Sequence, residues 1–344
     1  MSEKPYTISQ VAKMLGVSPS TVSRAMNNAP GVSDSVRKQI LEFVDEIGYR
    51  PNTVAQSLSR GRSNMVALIL GDIRNPFYAD LAFGIQKALD TKGFIVTTFN
   101  SEYDYKKEKQ FIQFAEQYNY SGIILVTVNS EEADKYLGHL DIPVLLVNRI
   151  TKHYNGPLIV TDNFQAGYIA ARHLINLGHK RIGFLAGQNK SSSASSQRFQ
   201  GFQQALNNYQ LDYHADYCLY DLDWRMNTGY QAAESIFSTP RETKQRPSAF
   251  LIANDLLALG FMNYCGEHGI RIPDDISIVS FDDIAYSSLH QIQLTTVSQH
   301  VETMSKEAAD LMLQLLTDPP KEPKRVIIEP TLIVRNTTQH YQEP

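Results

Sequence analysis

From Met65 onward, apolar runs of strand length alternate with amphipathic helical stretches, and no other feature of the sequence narrows the fold so much. MVALIL precedes a helical stretch at 81–91, FIVTTF precedes one at 106–118, and GIILV, VLLV and LIVT follow. A second series repeats the pattern: helix at 164–177, RIGFLAG, helices at 198–209 and 226–237, AFLIA, helix at 255–268, ISIVSF. Short apolar strands separated by helices predict parallel sheets covered on both faces. About ten strand candidates in two series predict two similar doubly wound halves rather than one sheet. The tail RVIIEPTLIVRNTT reads as extended, and no heptad run after it predicts a coiled coil. With 344 residues, 42% of them hydrophobic, the chain can fill two or three domains, and no apolar run is long enough to span a membrane.

Charge divides the chain a second way. Residues 1–62 carry eight basic and five acidic side chains, a balance of +3 within an overall net charge of −4, so the remainder is acidic. This small basic part reads as four short helices. Thr7 with Gln10 forms a capping box for a helix burying Ile8, Val11, Ala12 and Leu15, and Gly16 ends it. Ser18 caps the next helix with Pro19 in the first position, where the missing N–H costs nothing. Helix, short glycine-led turn, helix is the helix-turn-helix pattern. Ser33 is expected to cap a third helix with Val36, Ile40, Leu41, Val44 and Ile47 on one face, and Asn52 a last short one containing Val54, Ala55 and Leu58. That last helix is too short to hold alone in water.

Enzyme chemistry finds no motif. Neither a dinucleotide-binding nor a phosphate-binding glycine loop is present, nor a G-x-S-x-G elbow, nor an H-E-x-x-H pair, so no catalytic residue, cofactor or metal site is expected. Cys218 and Cys265 lack ligand spacing, which argues against a disulfide framework or a thiolate zinc site. The first twenty residues hold no secretory apolar core, and a reducing cytoplasm is the expected compartment.

The segment TISQVAKMLGVSPSTVSRAMNNAPGVSDSVRKQILEFVDEIGYRPNTVAQSLSRGRS resembles the N-terminal headpiece of the lactose/galactose-repressor (LacI/GalR) family. The likeness continues through DIRNPFY, GYIAARHLINLGHKRIGFLAG, RFQGFQQAL, IANDLLALG and ISIVSFDDIAYSSLHQIQLTTV, and so covers nearly the whole chain. It implies an all-α helix-turn-helix headpiece and hinge helix, followed by an α/β core like periplasmic binding proteins with two parallel-sheet subdomains. The domains would be 1–51, a hinge and linker at 52–63, and a core at 64–344. Within the core, the N-subdomain would take 64–162 with 296–325, and the C-subdomain 163–295 with 326–344. The family's members are homodimeric regulators that bind double-stranded operator DNA and a small effector.

By this resemblance the second helix lies in the major groove, with Pro19, Ser20 and Arg24 at base edges. Arg24 can fork onto guanine O6 and N7; the alternative is a phosphate contact only. Thr7, Ser18, Thr21, Ser23, Asn27, Ser33, Tyr49 and Asn52 are expected at phosphates, and helix capping explains several of them equally well. Leu58, with Ala55 beside it, resembles the hinge-helix leucine that wedges into the minor groove.

The same resemblance places Arg198, Trp224, Asn254 and Asp282 around the effector, with Asp72, Phe77, Tyr78 and Arg149 lining the opposing subdomain. An indole face stacks on the C–H face of a pyranose, while Arg, Asn and Asp complement vicinal hydroxyls. The blander alternatives are that Asp282 and Asp283 cap the following helix and that Phe77 is core. The serine-rich stretch 191–196 departs from the family pattern and reads as a loop. The leading expectation is a repressor of carbohydrate-utilisation genes released from its operator by a sugar or sugar phosphate. Two others stand beside it. In one, a co-repressor or phosphoprotein partner strengthens DNA binding; in the other, the chain is a cytoplasmic sugar-binding or sugar-modifying protein, which would have no use for the basic headpiece.

Overall fold

Capping chemistry sets the first two helices of the protein, whose structure is a computed structural model. It describes residues 6–50, 63–126, 135–149, 154–187, 193–238 and 246–342, and the expected hinge residues Asn52, Ala55 and Leu58 lie outside these. Helix α1 (Ile8–Leu15) starts at Thr7, whose capping box with Gln10 is fully formed, and stops at Gly16 in the left-handed conformation, φ 67°. Helix α2 (Pro19–Met26) is capped by Ser18, and α3 (Asp34–Glu46) follows. Ser33 departs from expectation, because its side chain makes no capping bond and its hydroxyl lies 3.3 Å from that of Ser35. Val11, Ala12, Val22, Ala25, Ile40, Val44 and Tyr49 form the buried core of this unit. Arg37 of α3 donates to the carbonyls of Arg24, Ala25 and Ala29, tying α3 to the end of α2 and the turn that follows it.

The chain divides into two units, Met1–Ser63 and Asn64–Pro344. In the second, two six-stranded sheets form, their inner strands apolar and buried on both faces and their edge strands partly exposed. The strands are β1 (Met65–Leu70), β2 (Ile95–Asn100), β3 (Gly122–Val126), β4 (Val144–Val147), β5 (Leu158–Thr161), β6 (Ile182–Gly187), β7 (Cys218–Leu222), β8 (Ala249–Ile252), β9 (Ser277–Asp282), β10 (Thr295–Ser298), β11 (Arg325–Ile328) and β12 (Thr331–Ile333). The N-sheet runs β11-β5-β4-β3-β1-β2 and is parallel throughout; the C-sheet runs β12-β10-β9-β8-β6-β7, with only β12 antiparallel. On the N-sheet, α4 (Pro76–Asp90) and α10 (Val301–Thr317) cover one face and α5 (Tyr105–Gln117) the other. On the C-sheet, α6 (Asn163–Asn176) and α7 (Ser193–Asn208) cover one face, with α8 (Met226–Ser238) and α9 (Asp255–Glu267) opposite.

The chain passes between the sheets three times, after β5, after β10 and between β11 and β12. Two of the expected subdomain boundaries therefore move. Thr295–Ser298 pairs with β9 in the C-sheet and Arg325–Ile328 with β5 in the N-sheet, so the crossings fall near 299 and 330 rather than at 295/296 and 325/326. A four-residue strand such as TTVS carries no mark of its sheet; the neighbour it pairs with decides. The serine-rich stretch is also corrected, since Ser193–Ser196 form the first turn of α7. That helix approaches α6 closely enough to require glycine: a Cβ at Gly167 would lie 1.9 Å from the Arg198 carbonyl oxygen, and one at Gly201 would lie 2.0 Å from that of Phe164.

Candidate DNA-reading and effector sites

In the headpiece, α2 turns Val22 and Ala25 inward and leaves Pro19, Ser20 and Arg24 exposed. The Ser18 hydroxyl accepts from the Thr21 amide at 3.1 Å and lies 2.6 Å from the Ser20 hydroxyl and 2.8 Å from that of Thr21, so one hydroxyl cluster both caps α2 and faces outward. Thr7 is occupied by its capping box, and Asn27 donates to the Ser23 carbonyl at 2.9 Å. Tyr49, expected at a phosphate, packs in the core of this unit, 6% exposed, with burial raising the pKa of its hydroxyl. Its ring holds the headpiece together, which leaves only the hydroxyl for any contact with DNA.

In parallel α/β sheets, ligands bind beyond the carboxyl ends of the strands. The second unit gathers polar side chains at those ends of both sheets. On the N side, Asp72 follows β1 and accepts a fork from Arg74, Nε to Oδ1 at 2.8 Å and Nη2 to Oδ2 at 2.6 Å, which holds its carboxyl below the usual range. Tyr78 is nearly buried in the first turn of α4. Tyr103, which sequence reasoning missed, completes this side. Glu102 and Tyr103 both adopt positive φ, 55° and 60°, and swing the phenol over Gly71, where any Cβ would come within 2.3 Å of the ring. Burial raises the Tyr103 pKa far above the usual value, and the adjacent Tyr78 hydroxyl, Asp72 and Asp282 add to it, so this phenol stays neutral.

Two expected N-side residues take other roles. Phe77 is core, 3% exposed and edge-on to Tyr78. Arg149 is 1% exposed, and its Nη1 lies 3.0 Å from both carboxylate oxygens of Glu108. Both side chains of that pair are fully buried, so Arg149 is committed to a structural ion pair rather than held for a ligand. The signal for Glu108 was present in the sequence: it falls in register with Ile112 and Ala115 on the buried face of α5.

On the C side, Arg198 projects from α7, donating from Nε to Asn163 Oδ1 at 2.9 Å and from Nη1 to the Ala253 carbonyl at 2.7 Å, with its guanidinium 4.6 Å from the Phe281 ring centroid. Asp282, at φ 116°, accepts from Gln299 Nε2 at 2.6 Å. Burial pushes its pKa up to about 8, against the opposing pull of Arg198. Gln299, also missed, is 1% exposed, and its Oε1 has no partner among the described residues. Neither aspartate caps the next helix, because Asp283 pairs with Arg335 at 2.7 Å. Asn254 caps α9 through Oδ1 and donates from Nδ2 to the Trp224 carbonyl at 3.4 Å. The Trp224 indole packs against Gly187, where a Cβ would come within 2.2 Å of the ring. Beneath them Asp255 accepts from Ser280, Ser287, Thr296 and the Ile284 amide, tying the start of α9 to β9, β10 and the segment after Asp282.

The two sides face one another. Tyr103 senses the Asp282 charge, Arg198 senses Tyr78, and Leu259 and Ile284 of the C side join the N-side cluster around Phe77 and Tyr78. The structure thus assembles Asp72, Tyr78, Tyr103, Arg198, Trp224, Asn254, Asp282 and Gln299, and sets Phe77 and Arg149 aside.

Comparison with known proteins agrees with both parts. Residues 7–52 match the model of bacterial regulatory proteins of the lacI family, and 171–338 match a periplasmic binding protein-like domain. The HTH-type transcriptional regulator DegA of Bacillus subtilis (strain 168) is 31% identical over 336 residues, 96% of this chain and 98% of DegA. The chain belongs to the LacI family. It is a DNA-binding transcription regulator, and its fold is that of the lac repressor dimer bound to operator and the anti-inducer ONPF, with TM-score 0.85, 26% identity, and 98% and 100% of the two chains covered. The regulator is also similar to the transcriptional regulator CelR in its cellobiose complex, with TM-score 0.72, 26% identity, and 96% and 99% covered. Among the described residues no helix of the regulator is long and apolar enough to cross a membrane.

Proposed function

We propose that the regulator acts as a dimer that represses carbohydrate-utilisation genes and leaves its operator when a sugar enters the cleft between the sheets. The observation that carries this reading is the convergence of Arg198, Asn254, Asp282 and Gln299 beside the indole of Trp224. That set offers donors, acceptors and an apolar face together, the complement of a hydroxylated ring, and it would leave buried groups unpaired if the hydroxyls were missing. The cellobiose complex of CelR and the operator complex of the lac repressor support it. Pro19, Ser20 and Arg24 read the bases, while Ser18, Thr21 and Ser23 hold the backbone.

Energetically the sugar has to prefer the arrangement that cannot hold DNA; a 10- to 100-fold preference corresponds to about 1.4 to 2.7 kcal/mol of coupling. Trp224 is the only tryptophan, so intrinsic fluorescence reports on the cleft. Titration with mono- and disaccharides, their phosphates and purines should give a saturable change with one sugar, lost in Arg198→Ala, and the same sugar should release operator DNA. A sugar that tightens operator binding instead would reverse the sign of regulation. A response to purines alone would replace the sugar reading with co-repression, and no response from a protein that still binds operator would point to a phosphoprotein partner.

A further inference from the structure

The C-sheet has a second open end. Its strands β6, β8 and β9 run in parallel from Arg181, Ser248 and Ile276 at one edge to Gly187, Asn254 and Asp282 at the cleft. Six residues of strand place these edges roughly 20 Å apart. At the edge far from the cleft lies a cavity of about 720 Å³, walled by β-strand starts and by the C-terminal segment at 339–342. Its volume falls within the range of small-molecule sites, and nothing in the DNA-reading or effector chemistry uses it.

Its lining combines basic and apolar side chains. Arg181, Arg246 and Arg271 face it, against Asp274 and Asp275. Both aspartates are taken by Arg271, at 3.3 and 2.8 Å. Arg181 donates only to neutral groups, the Arg246 carbonyl at 3.1 Å and the Tyr341 hydroxyl at 3.2 Å. The half-buried Arg246 guanidinium lies over the Phe237 ring at 5.9 Å, and its Nε is shielded from water without any acceptor. Among the described residues neither Arg181 nor Arg246 has a carboxylate partner. Two guanidiniums that line one cavity without a carboxylate partner are an arrangement that a carboxylate or phosphate oxygen entering the cavity would complement. Phe237 and Ile270 offer an apolar surface for the rest of such a molecule. His179, at the back of the cavity, is held neutral by burial, its pKa pushed down to about 4, so the charge there comes from the arginines.

We propose that this cavity is a second ligand site, separate from the effector cleft, for a small organic anion with a phosphate or carboxylate head on Arg181 and Arg246 and an apolar body against Phe237. The test is calorimetric titration of the full-length protein with phenyl phosphate, benzoate, inorganic phosphate and phenol. Phenyl phosphate or benzoate should bind saturably, inorganic phosphate more weakly and phenol not at all. Arg246→Gln should weaken the organic anion by about tenfold or more, the equivalent of one charge-assisted bond. Asp274→Asn, an exposed change that removes a competing charge at the rim, should tighten it severalfold, and this variant guards against a fold lost in Arg246→Gln. Absence of anion binding by the folded protein would overturn the site. So would binding indifferent to both substitutions, or binding removed by Arg198→Ala while Arg246→Gln retains it, which would place the anion in the cleft.

Discussion

Replacing Arg149 by Met separates two accounts of this residue. The family resemblance makes Arg149 a ligand contact; the structure makes it half of a fully buried ion pair with Glu108, two 3.0 Å contacts on one nitrogen and no exposed side-chain surface on either partner. Burying a carboxylate without its partner is costly, and removing one member of such a pair destabilises by about 3 to 5 kcal/mol. For a unit of this size, at roughly 2 to 4 °C per kcal/mol, melting should fall by about 6 to 20 °C. The double variant Arg149→Met with Glu108→Leu leaves no charge behind and should recover most of that loss. The assay is urea and thermal unfolding followed by circular dichroism for the wild type, both single variants and the double. A single-variant cost under about 1 kcal/mol, or a double variant as unstable as the two losses added together, would refute the structural account. Sugar binding lost in Arg149→Met at undiminished stability would restore the ligand role.

Three further outcomes are expected. Arg24→Ala should weaken operator binding by about 1 to 3 kcal/mol and relax preference at one base pair while nonspecific DNA loses far less; equal losses in a competition gel shift would reassign Arg24 to phosphate. Gly201→Ala sets a Cβ 2.0 Å from a helix carbonyl that cannot retreat, so it should cost about 3 kcal/mol, the upper end for overpacking, and displace Arg198; an unfolding midpoint equal to wild type would contradict the helix packing. Asp282 has a raised pKa, about 8 in the fold, so the native state keeps a proton that the unfolded chain has already released above about pH 4. Its contribution therefore falls as pH rises from about 4 to 8 and levels off above, by up to about 1.4 kcal/mol per pH unit. Wild type should lose up to about 3 kcal/mol relative to Asp282→Asn between pH 5.5 and 8, and a gap that stays constant across that range would remove the buried-acid argument.

The local parts of the regulator were legible in its sequence because their causes lie within one or two turns of chain. Thr7 and Gln10 are three residues apart, Ser18 and Pro19 are neighbours, and the apolar spacing of α3 needs only its own residues. The strand-helix alternation likewise gave two parallel halves, because a strand buried on both faces is apolar along its length. The resemblance supplied most of the cleft, and Arg198, Trp224, Asn254 and Asp282 do stand together there. Glu108 could have been read from helix periodicity; its partner could not.

What only the tertiary structure decided are the choices made across long stretches of chain. Arg149 finds Glu108 over 41 residues, and Asp283 finds Arg335 over 52 while the adjacent Asp282 turns to Gln299. Thr295–Ser298 and Arg325–Ile328 join opposite sheets by pairing alone. Tyr103 enters the cleft because Gly71 leaves room for its ring, a fact about two strand ends rather than either sequence. Helical and strand periodicity is set by backbone geometry that every residue carries with it, whereas a buried charge or a ring against a glycine depends on which surfaces the folded chain brings face to face. The sequence therefore determined what this protein is built from and which class of molecule its headpiece reads, and the tertiary structure decided which of its charges hold the fold and which are left for a ligand.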